Sequence, residues 1–271
     1  MKTRRPKLGQ HFLISETYRR RILEALPLRS DDVVLEIGPG RGAMTGLLIE
    51  RSRKVVAVEI DAQLVDDLRD QFAGEERVEV VKADILQVDL AEICRRHGVE
   101  RLFAFGNLPY YISSPILHHL LNFASRLRGM AFVVQREVAD RIAAAPGSRA
   151  YGYLSVLAQS YAVPRVALTI PPGAFAPPPA VHSALVSFEI TGPASVWDEH
   201  RIRTFLEFAK LGFAQKRKKL SNNLTSTYAI AQVRDALRRC GFNDNVRAEQ
   251  LGVEQFRQIF DSLNPPVASS G

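Results

Sequence analysis

The sequence predicts an α/β fold: a mostly parallel sheet covered by helices, followed by a small helical C-terminal domain. Three observations predict it. Short apolar runs, rich in Val, Ile and Phe, recur along the first half of the chain. Helix-like stretches separate them. After a proline- and glycine-containing segment near residue 191, the strand-like runs stop and helical patterns take over. Repeated strand–helix units read as βα crossovers on a parallel sheet.

The runs are "VVLEIG" (33–38), "VVAVEI" (55–60), "VEVVKADI" (78–85), "LFAFGNL" (102–108) and "MAFVVQ" (130–135). They are nearly continuous in apolar character, as strands covered on both faces should be. "AMTGLLIERS" (43–52) and "AQLVDDLRDQF" (62–72) are the intervening helices. "RVALTIPPGAFAPPPAVHSALVSFEI" (165–190) places two strand-like runs around a proline-rich loop, which predicts an antiparallel pair closing the sheet edge. "TGPASVW" (191–197) reads as a linker, giving domains at 1–194 and 195–271. The second holds the helical stretches 199–224, 229–242 and 247–263, and the tail "NPPVASSG" (264–271) is expected to fray.

Composition narrows the function. With 46% hydrophobic and 24% charged residues, the 271-residue chain is expected to be soluble and globular. It contains no run of about 18 apolar residues that would span a membrane. "MKTRRPKLGQHFLIS" is basic but lacks the apolar stretch of a secretory signal. Cys94 and Cys240 stand in no metal or redox spacing, so both are expected to be reduced, no metal is expected, and the cytoplasm is the default compartment. The net charge is +7, and from Thr191 onward 12 Lys and Arg stand against 8 Asp and Glu. The basic runs 2–7, 19–21 and 215–219 each read as solvated faces. Together with a pI near 9.6 they point to a polyanionic partner, most plausibly nucleic acid.

The predicted strand ends carry the chemistry. "EIGPGRG" (36–42) places Gly38, Gly40 and Gly42 between a strand and a helix. There the backbone can turn tightly and approach a ligand. The spacing is G-x-G-x-G, not the G-x-G-x-x-G of dinucleotide binders. "AVEID" ends the second strand with Glu59, next to Ile60, about 20 residues past the glycines, where an acid can accept from both hydroxyls of a ribose. That position alone does not separate NAD from S-adenosylmethionine. "KADIL" ends the third strand with Asp84, next to Ile85. Asp84 could accept from an adenine amine or simply cap the next helix. A glycine loop and two acids at consecutive strand ends favour a nucleoside cofactor, with S-adenosylmethionine ahead of NAD.

The fourth strand ends in "NLPYYISSP" (107–115), a stretch without acid, base, thiol or histidine. It suits methyl transfer from a sulfonium to an exocyclic adenine amine. The donor is already activated, and the amine must be held with its lone pair towards the methyl group. Acceptors on its two protons can do this: the Asn107 side-chain oxygen and a backbone carbonyl, plausibly that of Leu108. Pro109 would stiffen the loop. Tyr110 would stack on the unstacked base, and Phe175 is available for the opposite face. Such positioning can lower a barrier by several kcal/mol, and no strong general base is needed.

The quoted motifs, with "LGQHFL" (8–13), "FAPPPAVHSALV" (175–186) and "AQKRKKLSNNL" (214–224), stand in the order seen in one family. From about residue 7 to about residue 260 the chain resembles the ribosomal RNA adenine N6,N6-dimethyltransferases of the small subunit. The resemblance implies a class I S-adenosylmethionine-dependent methyltransferase, Rossmann-like, with a helical C-terminal domain that contacts rRNA. It implies that His11 and Leu13 close over the cofactor. Gly38, with Gly40, would lie against its methionine part, Glu59 and Ile60 against the ribose, and Asp84 and Ile85 against the adenine. Asn107 would touch both the cofactor side and the target amine. Two adjacent adenines in the loop of the 3′-terminal helix of 16S rRNA would be the targets, late in ribosome biogenesis, within a pre-30S particle. A monomer is expected. Lys216, Arg217, Lys218 and Lys219 fit rRNA phosphate contact. Family members vary between Asn and His at position 11 and between Asn and Tyr at position 111. The competing readings are a macrolide-resistance methyltransferase of large-subunit rRNA, a non-catalytic assembly factor and a nicotinamide-dependent oxidoreductase.

Overall fold

The computed structural model describes residues 11–109, 112–191 and 197–265. The basic run 2–7, Tyr110, Tyr111, most of the expected linker and most of the tail lie outside the described residues. The described strands, in chain order, are β1 (Phe12–Leu13), β2 (Val33–Ile37), β3 (Lys54–Glu59), β4 (Val78–Lys82), β5 (Leu102–Asn107), β6 (Leu127–Gln135), β7 (Ala162–Ile170), β8 (Phe175–Ala176) and β9 (Ser183–Ile190). Seven form one sheet in the order β4-β3-β2-β5-β6-β9-β7, and β1 pairs with β8 in a separate two-stranded ribbon.

Strands β2 to β6 pair in parallel. β9 pairs antiparallel with β6 on one side and with β7 on the other, so the expected antiparallel pair extends the sheet with β7 outermost. The residues of β2 are buried throughout, as continuous apolar runs predict, whereas the outermost β4 is only half-buried along most of its length. From β2 the chain winds outward to β3 and β4, then returns past β2 to build β5 and β6. β2 therefore lies at the reversal of strand order, beside which open α/β sheets form a crevice at the carboxyl ends of their strands.

Helices α1 (Glu16–Ala25), α2 (Thr45–Ile49), α3 (Ala62–Gln71), α4 (Leu90–Arg96) and α5 (Ser113–Leu121) accompany these strands. Their starts follow ordinary capping chemistry. Asp61 accepts from the amides of Gln63 and Leu64 at the start of α3, and Asp89 from those of Ala91 and Glu92 at the start of α4. Where the sheet meets the loops below it, Asp32 is tied to Arg128, whose Nε lies 2.8 Å from Asp32 Oδ1 and whose guanidinium lies over the Phe103 ring.

The chain divides into two compact units: Met1–Ala139 with Ala162–Gly192, and Asp140–Tyr161 with Pro193–Gly271. A single boundary at 194/195 is therefore too simple, because Asp140–Tyr161 joins the C-terminal unit. The second unit contains α7 (Tyr153–Gln159), α8 (Glu199–Gly212), α9 (Leu220–Asn223), α10 (Ile230–Arg239) and α11 (Val253–Leu263), while α6 (Arg136–Ile142) runs across the division. Its core is aromatic. Phe205, Phe208, Phe256 and Phe260 are buried, and Tyr151 from the inserted segment meets Phe213 at 6.1 Å between ring centroids. The Gly147 amide donates to the Glu249 carbonyl at 2.7 Å, fastening the insertion within this unit. The thiols are free; Cys94 is buried and Cys240 half-buried, and burial pushes both upward from the usual thiol range. Among the described residues, no helix is long and apolar enough to cross a membrane.

Candidate active site

The carboxyl ends of β2, β3, β4 and β5 open on one cavity of about 1280 Å³, whose lining residues all belong to the first unit. The sequence-predicted residues His11, Leu13, Gly38, Gly40, Glu59, Ile60, Asp84, Ile85, Asn107, Leu108 and Pro109 all line it. Phe175 does not. It is 2% exposed and packs in the core, in register with Leu13. Its neighbour Ala176 does line the cavity. Phe175 is therefore not placed to cover one face of a base. Tyr110, expected to stack on that base, lies outside the described residues.

The glycine loop leaves β2 with positive φ at Gly38, Gly40 and Gly42. Gly40 shows why a side chain is excluded. A Cβ there would lie 3.0 Å from the Phe12 ring, and φ is +59°. Its amide donates to Glu59 Oε2 at 3.2 Å. Glu59 Oε1 accepts from the amides of Ile60 at 2.9 Å and Asp61 at 3.1 Å. The Glu59 carboxylate, 2% exposed, thus holds the loop after β2 against the end of β3.

Asp84 caps a turn and also reaches the cavity. Its Oδ1 accepts from the Leu86 amide at 3.0 Å, capping the turn Ile85–Gln87, and the residue still lines the cavity. Ile60 is 56% exposed despite its size and presents apolar surface next to Glu59.

At the end of β5 the Asn107 Nδ2 donates to the His11 carbonyl at 2.9 Å. The His11 carbonyl can only accept, so the amide must turn its NH₂ there and keep its oxygen for another donor. His11 Nδ1 in turn lies 2.7 Å from the Pro177 carbonyl. The Leu108 amide donates to the Val133 carbonyl at 3.0 Å. The Pro109 carbonyl accepts from the Ile112 amide and the Ser113 hydroxyl, both at 3.1 Å, which anchors the loop just beyond positions 110 and 111. Gly106 is required beneath this loop, because a Cβ would come within 2.8 Å of Leu108 Cδ2 and 2.9 Å of the Ile37 carbonyl oxygen.

Among the lining residues that the sequence reading does not single out are Phe12, Arg41 and Glu36. Arg41 lies over the Phe12 ring, 4.8 Å from its centroid. Glu36 is 2% exposed, and its Oε2 accepts from the Thr45 hydroxyl at 2.6 Å. Burial pushes its carboxyl up to about 7. The Thr45 hydrogen bond opposes that rise, and the nearby Glu59 adds to it. The available signal is an acid two residues before "GPG", next to the last residue of the strand.

These residues fit S-adenosylmethionine. Three N–H groups leave room on the Glu59 oxygens for a ribose hydroxyl, since a carboxylate offers about four acceptor positions. Asp84 Oδ2 can take an amine, Ile60 and Ile85 offer apolar surface, and two acidic side chains suit a cation. The basic stretch belongs to the other unit. Lys216, Arg217, Lys218 and Lys219 are exposed between α8 and α9, and Lys216 Nζ donates to the Arg149 carbonyl at 2.6 Å. Among the described residues, no cluster of His, Cys, Asp and Glu is arranged to hold a metal.

Comparison with known proteins finds relatives over nearly the whole chain. The family model "Ribosomal RNA adenine dimethylase" matches residues 1–265. A "Ribosomal RNA small subunit methyltransferase A" of Acidobacterium capsulatum is 44% identical over 260 residues, covering 96% of this chain and 91% of that protein. One of Koribacter versatilis is 41% identical over 272 residues, covering 96% and 94%. Among solved structures, the 23S rRNA methyltransferase ErmE matches with a TM-score of 0.71 at 26% identity, over 93% of this chain and 99% of that one. A dimethyladenosine transferase from Plasmodium falciparum, with a TM-score of 0.80 at 21% identity over 94% and 98%, shares the fold.

The Glu36 carboxyl carries a stability consequence. Its pKa is higher folded than unfolded, so the folded state holds a proton that the unfolded state has released between pH 4.5 and about 7. Stability from this group therefore falls as pH rises through that window and levels off above it. Glu36→Gln removes the effect. Melting curves should show the variant gaining on the native protein from pH 5 to pH 8, by about 3 kcal/mol at most. A stability difference that stays flat with pH would show that Glu36 is not perturbed by burial.

Proposed function

The chain belongs to the ribosomal RNA adenine dimethylase family, an S-adenosylmethionine-dependent enzyme class, and we propose that it dimethylates N6 of two adjacent adenines in the 3′-terminal helix loop of 16S rRNA. The substrate would be a pre-30S particle late in assembly, met by a cytoplasmic monomer. The observation that carries this reading is the Asn107 amide. It is anchored by its nitrogen to His11 and stands at the mouth of the cavity shared by the glycine loop, Glu59 and Asp84. The preference for the small subunit rests on the relatives that are 44% and 41% identical.

When bound, S-adenosylmethionine supplies a methyl group activated by its sulfonium charge. The chain's own contribution is positional. The Asn107 oxygen and the Leu108 carbonyl accept from the two protons of the target amine, which holds its lone pair towards the donor. Pro109 and the bonds to its carbonyl keep that loop from relaxing. Tyr110 stacks on the extruded adenine. Glu59 accepts from ribose hydroxyls and Asp84 from the cofactor's adenine amine. Once the amine has attacked, its extra proton passes to solvent, so the site needs no charged base. Lys216, Arg217, Lys218 and Lys219 contact rRNA phosphates, which positions the RNA without reading its sequence.

The direct test incubates the protein with S-adenosylmethionine and small subunits from cells lacking this modification, followed by nucleoside analysis for N6,N6-dimethyladenosine. The native protein should form it, and Asn107→Ala should lose on the order of 10²-fold in kcat. Product on naked large-subunit rRNA but none on small subunits would instead indicate a resistance-type enzyme. No product on either RNA, with the cofactor still bound, would favour an assembly factor.

Neutralising Lys216 to Lys219 should weaken RNA binding at all sequences. The log–log salt slope should become shallower by about 0.7 to 0.9 for each phosphate that the protein no longer neutralises. An unaltered slope would remove this stretch from the RNA interface.

A further inference from the structure

We propose that Glu36 is a positioning residue that gives up a proton as the cationic cofactor enters, so that cofactor capture and ionisation of this carboxyl are one event. The inference rests on the reading of the cavity as the cofactor site.

Glu36 is a buried acid on the wall of that cavity, and its hydrogen bonding is half complete. Oε2 accepts from Thr45 on α2. No bond is seen to Oε1 among the described residues, which leaves it free to carry the proton of the neutral form. Among the described residues, no cation is paired with it. On its own strand, Leu35 and Ile37 are apolar, and its register partners are Ala57 on β3 and Phe105 on β5. The titratable groups facing the same cavity are Glu59 and Asp61 after β3, Asp84 after β4, Arg41 in the glycine loop, Arg19 on α1 and His11 before β1. Arg41 lies on Phe12. Arg19 is held by the Ile14 carbonyl and by Glu16. His11 is engaged with Pro177, and Glu59 adds a like charge.

A buried carboxylate without a counter-ion is costly, so a group placed like this holds a proton near neutral pH. S-adenosylmethionine carries a sulfonium and an ammonium. Either charge, brought into the cavity, supplies the missing counter-charge. The O–H bond at Oε1 then breaks, the electron pair stays on the carboxylate, and the proton leaves to solvent. Glu59 differs in its bonding: its carboxylate accepts from three backbone amides.

The consequence is a cofactor affinity that rises with pH. Titration calorimetry of the full chain with S-adenosylmethionine, at pH 7 in phosphate and again in Tris, counts the protons released. The native protein should release about half a proton more than Glu36→Gln. The ligand's own amine titrates in both and cancels in the difference. Between pH 8 and pH 6 the native affinity should fall by up to about tenfold relative to the variant. Thr45→Val removes the bond that favours the charged form, so its extra release should persist to pH 8. Equal proton counts for the native protein and both variants would overturn the inference while leaving the cofactor site intact. Should Glu36→Gln fail to fold by circular dichroism, equal counts for the native protein and Thr45→Val overturn it. Failure of the native protein to bind S-adenosylmethionine would overturn both this inference and the reading of the cavity.

Discussion

The site depends first on the carboxylate of Glu59. It accepts three backbone amides, one from the glycine loop after β2 and two from the turn after β3. Bonds to a charged acceptor are worth roughly 1.5–3 kcal/mol each, more than neutral ones. Glu59 itself is only 2% exposed. These bonds fix the distance between two strand ends that no other side chain among the described residues joins in this way. A loop with three glycines at positive φ would otherwise sample many shapes. Held by Glu59, it has one.

A second tether acts at longer range. The β1–β8 ribbon brings His11 and Pro177, 166 residues apart in sequence, within hydrogen-bonding distance, and Asn107 binds the His11 carbonyl. The reacting end of β5 is thereby braced from outside the sheet. The two buried acids at the cavity then divide the electrostatic work. Glu59 accepts three backbone amides. Glu36, with one hydroxyl partner and no cation, is held near its titration point. In the proposed reaction, a neutral loop for the amine beside a titrating acid separates the chemistry of the acceptor from the charge of the donor.

Much of this was legible in the sequence because parallel-sheet strands are nearly continuous apolar runs. Once their ends are located, the residues one or two places further on are the candidates. "AVEID", "KADIL" and "NLPYY" stand out this way. Glu36 falls outside this rule, because it lies inside its strand, just before the last residue and the conspicuous glycines. Phe175 misleads because an aromatic in a proline-rich loop gives no sign of which face it takes. Its burial is decided by pairing with Leu13, far away in the sequence. Asp140–Tyr161 joins the C-terminal unit through aromatic packing and a backbone bond to Glu249, neither of which leaves a compositional mark.

The measurement that most directly tests this account is the affinity of Glu59→Gln for S-adenosylmethionine, alongside its melting temperature. The amide puts an NH₂ where one carboxylate oxygen accepted backbone protons, so a donor then faces a donor. Binding should weaken by about 10- to 100-fold, equivalent to losing one charged hydrogen bond, in a variant that remains folded. An affinity equal to that of the native protein would contradict the account, because the glycine loop would then hold its shape, and the cofactor its place, without the Glu59 carboxylate.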